Sequence, residues 1–101
     1  MINSICKWIY MTFGVGVPGR LADRVEEELN EFRANPSEEE AADVLISACG
    51  LYLSARKLEF SVINFEAVVA RKMEINKDRK WQALGDGTGY HIKEGDNHAS
   101  D

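Results

Sequence analysis

Apolar residues recur every three or four positions along three stretches of this 101-residue chain, and the breaks between them are sharp. Leu21, Val25, Leu29 and Phe32 predict a helix over about residues 19–34, which "ANPS" then stops. A second helix, about 38–57, starts at "NPSEEE". Ser37 is placed to cap it, Glu40 stands at the third position as in a capping box, and acidic residues suit the positive end of the helix dipole. Its apolar stripe is Ala42, Leu45, Ile46, Cys49, Tyr52 and Leu53, with Gly50 allowing a neighbour close. "KLEFS" leads to a third helix, about 60–82, striped by Val62, Phe65, Val69 and Met73. Ahead of these, Ile2, Ile5, Cys6 and Ile9 fall on one side of a short helix over 2–10, and Gly14, Gly16, Pro18 and Gly19 break the chain after it. Beyond Trp81, "LGDGTGYHIKEGDNHASD" is polar and glycine-rich, which predicts a turn, a short strand pair and a frayed end.

The pattern is all-α. A chain of this length buries only about 60–65% of its unfolded surface, and Val44, Leu51, Ile63 and Val68 lie off the main stripes. A helical bundle completed by association of copies, with a short irregular C-terminal tail, follows from that excess of apolar surface. Twelve Lys and Arg against seventeen Asp and Glu leave a net charge of −5, which argues against a nucleic-acid polymer as partner. Cys6 and Cys49 are too few for a disulfide framework and have no zinc-binding spacing. The opening "MINSICKWIYMTFG" is interrupted by Asn3, Ser4 and Lys7, so it reads as neither an export signal nor a membrane span, and the expected location is cytoplasmic.

Charge becomes informative between residues 26 and 43, where eight carboxylates are gathered. Glu28 shares a face with Val25 and Phe32, Glu31 lies one turn on, and Glu26 and Glu27 fall towards solvent. On the next helix Glu40 and Asp43 are again three apart. In an antiparallel hairpin with a short connection, this ExxE and ExxD come to the same end. Four acids converging near a core repel unless cations lie between them, and hard oxygen donors select Mg²⁺ or Mn²⁺ over zinc. The plainer alternative is a solvated acidic face in which Glu40 only caps its helix. The third helix favours the site: its apolar register from Phe65 continues through Val69 to Lys72, Asn76 and Arg79. Two cations and an amide in that register suit a metal-bound polyphosphate, although they also suit a helix C-terminus.

Glu28, Glu31, Glu40, Asp43 and "KMEINKDRKW" resemble the MazG-like, all-α nucleoside triphosphate pyrophosphohydrolases. "KWIYMTFG", "EEELNEF", "NPSEEEAADVLI" and "GYHI" narrow the resemblance to the small dATP/dGTP pyrophosphohydrolase branch of phages and bacteria. One departure is Ala41 and Ala42, where that branch carries a bulky or acidic-aromatic pair before the ligand Asp. The resemblance implies one domain over residues 1–92 with a flexible tail over 93–101, assembled as a homodimer or homotetramer. It further implies hydrolysis of a purine dNTP, dGTP or dATP, to the monophosphate and pyrophosphate, in control of the nucleotide pool. Glu28, Glu31, Glu40 and Asp43 are then the metal ligands for Mg²⁺ or Mn²⁺, with Glu28 or Glu31 activating water. Lys72, Asn76 and Arg79 bind the phosphates or sugar. Trp8 and Phe13 offer a platform for the base, or else seal the core. The rival readings are a pyrimidine (dUTP or dCTP) pyrophosphohydrolase and a non-catalytic helical module that binds nucleotides or a partner.

Overall fold

In a computed structural model, which describes residues 1–56 and 62–93, four helices are followed by a β-hairpin: α1 (Ile2–Phe13), α2 (Pro18–Ala34), α3 (Glu38–Ala55), α4 (Phe65–Asp78), β1 (Lys80–Ala83) and β2 (Gly89–Ile92). The local reasons are those of the sequence. Pro18 sits in the first turn of α2, where its missing N–H costs nothing. At the other end of α2 the Asn35 N–H donates to the carbonyls of Glu31 (3.0 Å) and Phe32 (3.2 Å). Two residues later, Ser37 Oγ accepts from the Glu40 N–H at 3.2 Å, with Glu38, Glu39 and Glu40 filling the first turn of α3. α1 runs three residues further than the pattern predicts, to Phe13, and ends at Gly14, whose N–H donates to the Tyr10 carbonyl. The predicted "KLEFS" link, residues 57–61, lies outside the described residues.

The chain divides into two units, residues 1–66 and 67–101. In the first, α3 packs against both α2 and α1. Its core is Cys6, Cys49 and Leu53, with Ile2, Ile5, Ile9, Tyr52, Ile63 and Phe65 packed around it. Tyr52 and Phe65 stack with centroids 4.4 Å apart, and Tyr52 Oη accepts from the Asn64 N–H. Burial, with Cys49 beside it, pushes the Cys6 thiol up to about 12, and burial also raises Cys49. Both therefore behave as small apolar core groups. The start of α1 is tied across the unit: the Met1 amino group and Asn3 N–H donate to Glu66 Oε1, Asn3 Nδ2 donates to Asn64 Oδ1, and the Glu66 N–H donates to Asn3 Oδ1.

The expected stripe of α3 is only partly buried, since Leu45 and Ile46 remain exposed. The third predicted helix is also corrected. Val62 precedes α4 and is exposed, and the helix ends at Asp78 rather than near residue 82. Arg79 thus stands outside the helix. The Asn76 carbonyl accepts both the Arg79 N–H (3.2 Å) and Trp81 Nε1 (2.7 Å), which turns the chain out of the helix. Lys80–Ala83 then pairs antiparallel with Gly89–Ile92, Trp81 opposite His91. A Cβ at Gly89 would lie 2.6 Å from the Gln82 carbonyl oxygen, so the close pairing at the hairpin mouth requires glycine. The short strand pair expected around the glycine-rich segment after Trp81 is thus this hairpin, which runs as far as Ile92.

Candidate active site

α2 and α3 are joined by only residues 35–37, so the last turns of one lie beside the first turns of the other. That geometry brings the acids together. Glu28, Glu40 and Asp43 each place one carboxylate oxygen within 4.8 Å of the others. Glu28 is the buried member, 8% exposed, Glu40 is half-buried and Asp43 exposed. Glu31 is exposed, yet its carboxyl is held above the usual range, chiefly by the charge of Glu28, with burial and then Glu40 and Asp43 adding to the effect. Glu31 thus lies outside the group of three but feels its charge.

Glu28 Oε2 and Glu40 Oε2 are buried and have no hydrogen-bond partner. Natively folded chains seldom leave such oxygens unsatisfied, and a cation among them resolves the deficit. The donor set is oxygen only, which fits a hard divalent ion. Glu28 Oε1, by contrast, accepts from Arg24 Nη2 at 2.8 Å. Arg24 Nη1 bonds Glu27 Oε2 at 2.6 Å, and Arg20 Nη1 reaches Glu27 Oε1 at 3.3 Å. Arg24 was not singled out by the sequence pattern. Its signal was there, because a residue four before Glu28 lies on the same helix face.

A cavity of about 200 Å³ opens beside the acids, lined by Trp8, Phe13, Leu21, Arg24, Glu28 and Asp43 together with Ile9, Ile46, Ser47 and Gly50. Gly50 is buried against α2: a Cβ there would meet Leu21 Cδ1 at 3.1 Å. Trp8 and Phe13 form an edge-to-face pair with centroids 5.7 Å apart and remain 58% and 74% exposed, so they wall the cavity rather than seal the core. Lys72, Asn76 and Arg79 belong to the second unit, where Lys72 and Arg79 are exposed and Asn76 is half-buried beneath Trp81.

A family model described as dATP/dGTP pyrophosphohydrolase matches residues 1–98. The chain belongs to the dATP/dGTP pyrophosphohydrolase family. This family member is accordingly an enzyme, a dNTP pyrophosphohydrolase. A solved structure similar to it is the cyanophage S-2L MazG-like pyrophosphohydrolase bound to dGDP and three catalytic Mn²⁺ ions per active site. The two are 28% identical over 91% of this chain and 94% of that one, with a TM-score of 0.64. No curated protein matches the sequence. Among the described residues of this dATP/dGTP pyrophosphohydrolase family member, no helix is long and apolar enough to cross a membrane.

Proposed function

We propose that this enzyme hydrolyses a purine dNTP, dGTP or dATP, between its α and β phosphorus atoms, releasing the monophosphate and pyrophosphate. The observation that carries the reading is the pair of buried, unpartnered oxygens, Glu28 Oε2 and Glu40 Oε2, in a carboxylate cluster beside an aromatic-walled cavity. Glu28, Glu31, Glu40 and Asp43 would hold Mg²⁺ or Mn²⁺. Bound there, the ions supply Lewis acidity to the α-phosphate and to a water. Glu28 or Glu31 accepts the proton as that water attacks the α-phosphorus and the bond to the bridging oxygen of pyrophosphate breaks. Lys72 and Arg79 offset charge on the β and γ phosphates, and Asn76 bonds a phosphate or the sugar. Trp8 and Phe13 present ring edges and faces to the base, and a purine offers more stacking area than a pyrimidine.

Residues 1–92 then act as one domain with 93–101 as its tail, working in the cytoplasm, or that of the host if phage-encoded, to control the dNTP pool. The exposed apolar residues Leu45, Ile46, Val68, Val69, Met73 and Ile75 support a homodimer or homotetramer. A panel of dGTP, dATP, dUTP and dCTP with Mg²⁺ or Mn²⁺, with products resolved, tests the reaction and its selectivity together. Purine dNTPs should give monophosphate and pyrophosphate. Release of inorganic phosphate alone would overturn the reaction, and equal or faster turnover of dUTP or dCTP would overturn the purine preference.

A further inference from the structure

We infer that Arg24, held by Glu27 and through it by Arg20, is a positioning residue that fixes the Glu28 carboxylate with one oxygen turned away from, and the other left open to, the divalent-cation site. The inference rests on the metal-dependent reading above. Its basis is the division of labour between the two Glu28 oxygens: Oε1 is taken by Arg24 Nη2 at 2.8 Å, while Oε2 is buried without a partner. A carboxylate with three torsions in its path from the backbone is a poor ligand unless something fixes its plane, and losing a group that orients a ligand typically costs about 10–100-fold in metal affinity. Arg24 can do so because its own guanidinium is pinned. Nη1 bonds Glu27 Oε2 at 2.6 Å, and Glu27 Oε1 accepts from Arg20 at 3.3 Å, so a chain of alternating charges runs along α2 from Arg20 to Glu28. Bridging two carboxylates from one rigid fork is a guanidinium property that an ammonium group does not reproduce. Glu27 therefore differs from Glu26, although both were expected to face solvent; the Glu26 side chain lies outside this chain of bonds.

The same arrangement could arise if Arg24 were a stand-in cation that the ion must displace, and the two cases predict opposite signs. Free Mn²⁺ is titrated by electron paramagnetic resonance against the wild type, Arg24→Ala, Arg24→Lys, Glu27→Gln and Glu26→Ala, with melting curves in chelator to confirm folding. Arg24→Ala should weaken Mn²⁺ binding about tenfold or more. Arg24→Lys should restore it only partly, Glu27→Gln should weaken it to a smaller extent, and Glu26→Ala should leave it unchanged. In a Glu28→Ala background, Arg24→Ala should add nothing, because a positioning residue without its ligand has no effect. Binding by folded Arg24→Ala as tight as or tighter than wild type would overturn the inference, as would an equal loss in the Glu28→Ala background. Failure of the wild type itself to bind Mn²⁺, or equal binding by wild type and Glu28→Ala, would instead overturn the underlying metal reading.

Discussion

Replacing Glu28 by alanine should separate the stability of the metal-free fold from the stability that Mn²⁺ confers. Without metal, the change has two opposing effects. It removes the half-exposed ion pair with Arg24, worth about 0.5–1 kcal/mol after solvent screening. It also relieves repulsion among carboxylate oxygens that lie within 4.8 Å, which amounts to about 1 kcal/mol per pair if water screens them fully and several times that if not. Because Glu28 has two such neighbours, the metal-free melting temperature should not fall and should rise by about 4 °C or more, about 4 °C being the shift produced by about 1 kcal/mol in a domain of this length. With Mn²⁺ at a hundred times its dissociation constant, the wild type should gain about 2.7 kcal/mol, or about 11 °C. A hundredfold loss of affinity in Glu28→Ala leaves about 0.4 kcal/mol at the same concentration, under about 2 °C. Thermal unfolding of both proteins and of Glu26→Ala, in chelator and in Mn²⁺, measures all of these. If Glu28→Ala gained as much from Mn²⁺ as Glu26→Ala, the acidic run would be a solvated face and the assignment of its ligands wrong.

Leu53 is 2% exposed in the core between α1 and α3, so Leu53→Ala should cost about 2–5 kcal/mol, read as a lower denaturant midpoint at unchanged slope; a loss below about 1 kcal/mol would mean the core closes over the gap. Glu66 is held below its ordinary range first by the hydrogen bond from the Met1 amino group and then by the Asn3 N–H. A lowered carboxyl stabilises the fold above its unfolded value and loses that contribution as pH falls through the folded one. Glu66→Gln should accordingly melt below wild type at neutral pH and converge with it under acid conditions, and a gap that persisted at low pH would refute the pairing as its cause.

How much the sequence could reveal depended on whether the deciding contacts were local. α2 and α3 were legible almost to the residue, because Pro18, Ser37 and the acids after it act within one turn of the helix they start. The convergence of Glu28, Glu40 and Asp43 followed from helix periodicity and a three-residue connection, whereas Glu31 feels their charge without joining the group. The end of α4 was not legible in the same way. Lys72, Asn76 and Arg79 continue an apolar register, but the chain leaves the helix because Asn76 accepts the Trp81 ring N–H and residues 80–83 find a strand partner at 89–92. That pairing is non-local and overrides helical spacing. Trp8 and Phe13 were similarly ambiguous between core and ligand wall, since only the docking of α1 on α3 decides which side they face. Arg24 was overlooked for a different reason: an exposed arginine among glutamates is the commonest surface pattern of a helix, and only the burial of Glu28 distinguishes it.

The ties between the start of α1 and residues 64–66 have a consequence for the order of events during synthesis. α1 carries Trp8 and Phe13, the aromatic wall of the cavity, yet the groups that hold its first turn, Asn64 and Glu66, lie more than sixty positions later. At about 5–20 residues per second, translation leaves α1 without those partners for several seconds. The hairpin of α2 and α3, whose contacts are close in sequence, can form in that interval. The carboxylate cluster is therefore assembled early in the life of the chain, whereas the wall beside it is clasped only after residue 66 has been made.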